Sequence, residues 1–178
     1  FIKKLFLVLL ILSLFSLQSF SASACSVKIG SFDWDSASIH SAIASYILEN
    51  GYSCDTQITK GRTNPILEAL IDNKIDIIFE HWTDNNVALI DPELTSGNLV
   101  DLGINTPASE QAFFIDRATS KNYGITSVED LKKSYIWELF KDPENPSKGR
   151  IISCLYGWTC YTINYVKIME YGLGDIYN

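Results

Sequence analysis

The chain has 178 residues and a formal charge of −7, an acidic balance that disfavours nucleic acid or an anionic membrane surface as a partner. Its length suits one ordinary domain, or most of a bilobed protein whose end is missing. The even set of four cysteines reads first as disulfides if the protein is exported.

The N-terminus supports export. Lys3 and Lys4 form a short basic region, Leu5 to Phe15 an apolar core, and Ala22-Ser23-Ala24 offers the small residues that a signal peptidase reads. The apolar stretch falls short of the roughly 20 residues a membrane span needs. A cleaved signal peptide is therefore expected over residues 1–24. Its removal takes two lysines with it and moves the formal charge from −7 to −9. A lipid-modified Cys25 is the alternative to a paired one. The chain starts at Phe1 and stops at Asn178 soon after a helical pattern, so it reads as a fragment at both ends.

Val27 to Phe32 reads as a first strand. Asp35 is a plausible N-cap for a helix in which Ile39, Ile43, Tyr46 and Ile47 recur at helical spacing, with Gly51 suited to a left-handed stop. A second strand is expected from Asp55 to Thr59, followed by a Lys60-Gly61-Arg62 turn. The next helix has Pro65 near its first turn and Ile66, Leu67, Leu70 and Ile71 on its apolar side. Ile75 to Phe79 is the third strand, apolar enough to be central. This β-α-β-α-β alternation implies a parallel sheet with right-handed crossovers, in strand order 2-1-3.

Beyond Trp82 the pattern loosens. Asn85 to Ile90 starts a helix, and Leu99–Leu102 and Ala112–Ile115 read as short strands. Ser127 to Leu131 opens a helix with Ser127 and Asp130 spaced as a capping box. Lys141 to Arg150 is a surface loop, Ile151-Ile152-Ser153 a strand, and Thr159 to Tyr171 a helix. The expected division is a first α/β lobe over 25–110 and the start of a second, incomplete one over 111–178, with ligand between the lobes.

The cysteine pairing follows from placement. Cys25 and Cys54 each precede a strand, and parallel neighbours lie about 4.8 Å apart, within disulfide reach. Cys154 and Cys160 flank a short loop that a bridge could close. A metal site fits poorly, because neither spacing is C-x-x-C.

Trp34 and Trp82 each follow a strand. Ligands bind beyond the carboxyl ends of strands in such sheets, and two indole faces there suit a cation that hydrogen bonds cannot satisfy. Core packing against helices is the competing use of each ring. Asp33, Glu80, His81 and Asp84 are the polar neighbours, able to bind ligand, cap helices or, as Glu80 with His81, act as acid and base. Neither a nucleophile motif nor a dinucleotide or phosphate fingerprint accompanies them, and no cofactor is expected. Trp158 lies in the Cys154–Cys160 loop before a helix N-terminus, where an anion would be welcome. A lid over the disulfide is its other reading.

Four stretches carry a resemblance to a known family: Phe32-Asp33-Trp34-Asp35-Ser36-Ala37; Leu48-Glu49-Asn50-Gly51-Tyr52-Ser53-Cys54; Phe79-Glu80-His81-Trp82; and Pro143 to Arg150 with Cys154, Gly157, Trp158 and Cys160. They resemble the substrate-binding proteins of glycine betaine/choline-type ABC transporters, in order and over most of the mature chain. The resemblance implies a two-lobed periplasmic binding protein with parallel-sheet lobes, the second truncated. It also implies that a quaternary ammonium compound is held in an aromatic box and handed to an ABC permease and its ATPase. Trp34 and Trp82 match box tryptophans. Gln111, followed by Phe113 and Phe114, stands where choline-binding relatives place a box tyrosine. An amino acid or another polar solute is the alternative ligand, and a secreted enzyme using Glu80 and His81 the alternative class.

Overall fold

The computed structural model describes residues 25–107 and 109–178; the expected signal peptide lies outside them. Strand β1 (Ser26–Phe32) is central, with β2 (Asp55–Gly61) and β3 (Ile77–Ile78) parallel on either side, giving the order 2-1-3. Seven residues of β1 pair in register with β2, from Ser26 opposite Asp55 to Phe32 opposite Gly61. Both strands thus begin at one edge, where Cys25 and Cys54 are bridged with Cα atoms 4.4 Å apart.

The third strand is shorter than its apolar run because a side chain substitutes for part of the ladder. The Lys28 N–H donates to Asp76 Oδ2 at 2.7 Å, and the Asp76 N–H returns to the Lys28 carbonyl at 2.8 Å. Regular pairing then spans only Ile29 with Ile77 and Gly30 with Ile78. Gly30 permits this approach: a Cβ there would come within 2.8 Å of the Ile78 side chain.

Helix α1 (Asp35–Tyr52) links β1 to β2, and α2 (Thr63–Ile71) links β2 to β3. Trp34 takes the N-cap position, so Asp35 is the first helical residue and lends its charge to the N-terminal dipole instead. The helix runs through Gly51 and stops at Ser53, which adopts the left-handed conformation at φ 55°. Those extra residues bring Cys54 to the start of β2. The apolar residues that announced α1 do not face the sheet, since Ile39, Ile43, Tyr46 and Ile47 are all at least half exposed. Its buried positions are the small residues Ala37 and Ser41. Phe32, Ala37, Ile66, Leu67, Ile75 and Ile90 form the core, the last from α3 (Val87–Ser96).

After α3 the described residues form no further strand of the sheet. Residues 99–102, 112–115 and 151–153 form no strand, and Val100, Leu102, Phe114 and Ile152 are exposed. A ladder needs a neighbouring strand to supply donors and acceptors; here single bonds stand in for one, as from the Ile151 N–H to the Asn178 carbonyl at 3.1 Å. The second half is built instead from α4 (Arg117–Tyr123), α5 (Ser134–Trp137) and α6 (Thr159–Glu170), with 3₁₀ turns at Val128–Lys132 and Glu138–Phe140. At the first of these turns Asp130 Oδ2 accepts from the backbone N–H groups of Thr126 and Ser127 at 2.8 and 3.0 Å. The Lys133 ammonium, and after it those N–H groups, hold the Asp130 carboxyl well below the usual carboxylate range.

The loop from Lys141 to Arg150 closes on itself and turns one acidic side chain inward. Asp142 is buried and accepts from Asn178 Nδ2 at 3.0 Å, while the C-terminal residues reach Gly149 and Ile151 through short backbone bonds. Tyr177 is buried against Gly149 and donates to the Leu131 carbonyl at 3.0 Å; burial pushes its phenol up to about 12. Cys154 and Cys160 are bridged, as their spacing suggested.

Candidate functional site

The carboxyl ends of β1 and β3 deliver two aromatic–acid segments to one place. Directly after β1 come Asp33 and Trp34; after β3 the chain turns through Phe79, Glu80, His81 and Trp82. Because the two strands are adjacent, these segments meet. The indole N–H of Trp34 donates to Glu80 Oε1 at 2.7 Å, and that of Trp82 donates to the same oxygen at 3.0 Å. Ser36, in the first turn of α1, adds its hydroxyl at 3.0 Å. The other oxygen, Glu80 Oε2, lies 3.0 Å from His40 Nδ1, but the angles do not make a hydrogen bond of that contact.

Trp158 joins from the other half of the chain. It is the N-cap residue of α6, and its indole N–H donates to Asp33 Oδ1 at 2.6 Å. Its ring meets Trp34 edge-on, with centroids 5.3 Å apart and planes at 72°. Phe32 stacks on Trp34 at 4.6 Å. Arg62, just past the end of β2, places its Nε 4.0 Å from Asp33 Oδ2. Gly157, at φ 93°, leaves room for that arginine side chain. Next to Trp158, the Thr159 hydroxyl donates to Asn86 Oδ1 at 2.9 Å, tying the start of α6 to the start of α3.

Each of the three indoles thus has its N–H on a carboxylate. An aromatic ring is electropositive at its edge and electronegative on its face. The acids therefore occupy the edges, and attraction for a cation is left to the faces, in Trp34 to the one that Phe32 does not cover.

Of the residues expected at the site, Trp34, Trp82, Trp158, Asp33 and Glu80 are brought together. His81 is adjacent in sequence but engaged elsewhere: its Nε2 lies 3.5 Å from Asn86 Nδ2. Burial pushes the His81 imidazole below its ordinary value, with Asp101 opposing the shift. The imidazole beside Glu80 is that of His40, so the geometry does not assemble the acid–base pair of Glu80 with His81. An open cleft of about 1450 Å³ runs beside β3, lined by His40, Glu80, His81, Trp82 and Gln111 among others; Trp34 and Trp158 stand outside its wall. Phe114 points to solvent. Among the described residues no cluster of His, Cys, Asp and Glu could hold a metal.

Sequence reasoning missed Ser36, His40, Arg62 and Asn86. Three of them carried a usable signal. Ser36 and His40 lie on the first turns of the helix that leaves Trp34, and Arg62 directly follows the strand neighbouring β1, at the same edge of the sheet.

Residues 25–178 match the family described as the substrate binding domain of ABC-type glycine betaine transport systems. The chain belongs to this family. Family members are substrate-binding proteins rather than enzymes, and an α/β architecture with a parallel, helix-covered sheet accords with that assignment. The chain is also similar to the glycine betaine-binding periplasmic protein OusX of Dickeya dadantii (strain 3937), with 33% identity over 76 residues. That match covers 43% of this chain and 23% of the relative's length.

Proposed function

We propose that the protein captures a quaternary ammonium compound, such as glycine betaine or choline, outside the cytoplasm and delivers it to an ABC permease. The observation that carries this reading is the pair Trp34 and Trp82, held at one carboxylate oxygen with their ring edges engaged. Such rings attract a cation through their faces, and a fully methylated ammonium has no N–H to satisfy any other way. Trp158, set on Trp34 and followed by the N-terminus of α6, extends the box from the other half of the chain. A carboxylate on the ligand would find the free N–H groups of that helix end.

In this reading residues 25–110 form one lobe and residues 111–178 belong to a second, with the ligand between them. The periplasm is the proposed location, in keeping with the leader-like residues 1–24 and with two disulfides, which persist in oxidising compartments. Binding is reversible and without turnover, because Glu80 serves the tryptophans rather than a base.

Calorimetry of the full-length protein against glycine betaine, choline, carnitine, proline betaine and an amino-acid panel tests the reading. Trp34→Leu and Trp82→Leu should each weaken binding at least about tenfold, since a desolvated cation–π contact is worth about 2 kcal/mol. Phe or Tyr at either position should retain part of the affinity. If Leu binds as tightly as Trp, the contact is apolar packing and the quaternary ammonium reading falls.

A further inference from the structure

Glu80 is an unusual neighbour for a cation box because one of its oxygens is fully engaged before any ligand arrives. Its side chain is nine-tenths buried. One oxygen receives Trp34, Trp82 and Ser36, while the other faces only the poorly angled contact from His40. Among the described residues no lysine or arginine forms an ion pair with it. A carboxylate largely removed from water, with no lysine or arginine beside it, keeps its charge effective over several ångströms; His40 Nδ1, 3.0 Å away, offsets that charge only when its ring is protonated.

That charge is delivered to the edges of two rings. A hydrogen bond from an N–H to an ionised acceptor is stronger and shorter than one between neutral groups. It also shifts electron density from the N–H into the ring, which deepens the negative potential on the face. We infer that Glu80 sets the site's preference for cations by acting through Trp34 and Trp82, orienting both rings and enriching their faces, without touching the ligand itself. The inference rests on the quaternary ammonium reading. Within it, Glu80 is a positioning residue.

Glu80→Gln separates charge from shape. The amide oxygen can still accept from both indoles and from Ser36, while the amide NH₂ can donate to a neutral His40 Nδ1. The probes are choline and its uncharged isostere 3,3-dimethylbutan-1-ol, the alcohol measured by competition on the full-length protein. The indole N–H resonances of the four tryptophans supply a second readout by ¹H–¹⁵N NMR.

Glu80→Gln should lower the preference for choline over the alcohol about tenfold, the scale of one unit charge acting over several ångströms in a partly screened site. The alcohol's own affinity should stay as it was, and the Trp34 and Trp82 resonances should move upfield while that of Trp158 does not. An unchanged preference, or an equal loss for both ligands, overturns the inference, because a merely structural role moves both affinities together. Trp34→Leu keeps the two readings apart. If that variant loses the preference for choline and Glu80→Gln does not, only the role of Glu80 falls. If the wild type does not prefer the cation, the ligand reading falls with it.

Discussion

The two halves of the chain reach order by different means. In the first, a buried central strand fixes its neighbours through seven register pairs on one side and two on the other. Every site residue there sits at a strand's end or in the helix turns that follow it. In the second half the described residues contribute helices, 3₁₀ turns and isolated bridges, and Trp158 is held by its N–H bond to Asp33 and its edge contact with Trp34. One half works as a frame; the other presents a single ring to it. A site divided in this way can be rigid where the cation would rest and adjustable where it would be covered.

The largest effects on stability should come from the cores, and they sharpen the comparison. Leu67→Ala removes a fully buried side chain from the sheet-bearing half, and Ile136→Ala removes one from the helical half. Each should cost about 2–5 kcal/mol if the chain unfolds as one unit. Urea titrations followed by two probes, one reporting on each half, would detect this. Ile136→Ala loosening only the second half would show that the frame stands without its partner.

The disulfides should rank next. In the chain-entropy picture a bridge stabilises more as the loop it closes lengthens. Cys25–Cys54 spans 29 residues and Cys154–Cys160 spans 6, which corresponds to about 3.5 and about 2 kcal/mol respectively. Paired Cys→Ser variants, compared by thermal unfolding, should keep that order. The reverse order would mean that the short loop does more for the native state of the second half than loop closure accounts for.

The smallest effect belongs to pH. Burial lowers the His81 pKa, so the folded state favours the neutral ring. Its contribution is fully present above the unfolded value of about 6.5 and is lost as the pH falls from there toward the depressed folded value. Wild type should therefore lose stability between about pH 7 and 5 more steeply than His81→Gln, when both are followed by denaturant midpoints. Equal slopes would mean that His81 titrates as it would in water.

The sheet-bearing half was legible because its signals are local and repetitive. Apolar runs at Val27–Phe32 and Ile75–Phe79, separated by helical spacing, allow little besides a 2-1-3 parallel sheet. That order alone put Trp34 beside Trp82 and Cys25 beside Cys54. Its details were harder to read. The face of α1 that meets the sheet is built from small residues such as Ala37 and Ser41, which carry little hydrophobic signal, whereas the conspicuous Ile39, Ile43 and Tyr46 look outward. Asp76 shortens β3 through a side-chain bond that no periodicity announces. Beyond α3, Val100, Phe114 and Ile152 looked like strand residues, but apolar character cannot supply the neighbouring strand that a ladder requires. At the site, the residue types were visible and their partners were not: that Glu80 would face His40 rather than His81 depends on the pitch of α1.

The gathering of Trp34, Trp82 and Trp158 also has an optical consequence. Three of the protein's four tryptophans belong to one site, two of them with rings 5.3 Å apart. Excitation absorbed by one indole can pass readily to another at such range, so the group should emit as a coupled set. The remaining tryptophan, Trp137, lies under the Lys141 ammonium at 5.6 Å and would contribute a steady background. Most of the tryptophan emission would then originate at the proposed ligand site, and an unlabelled sample could report its own occupancy in a simple fluorescence titration.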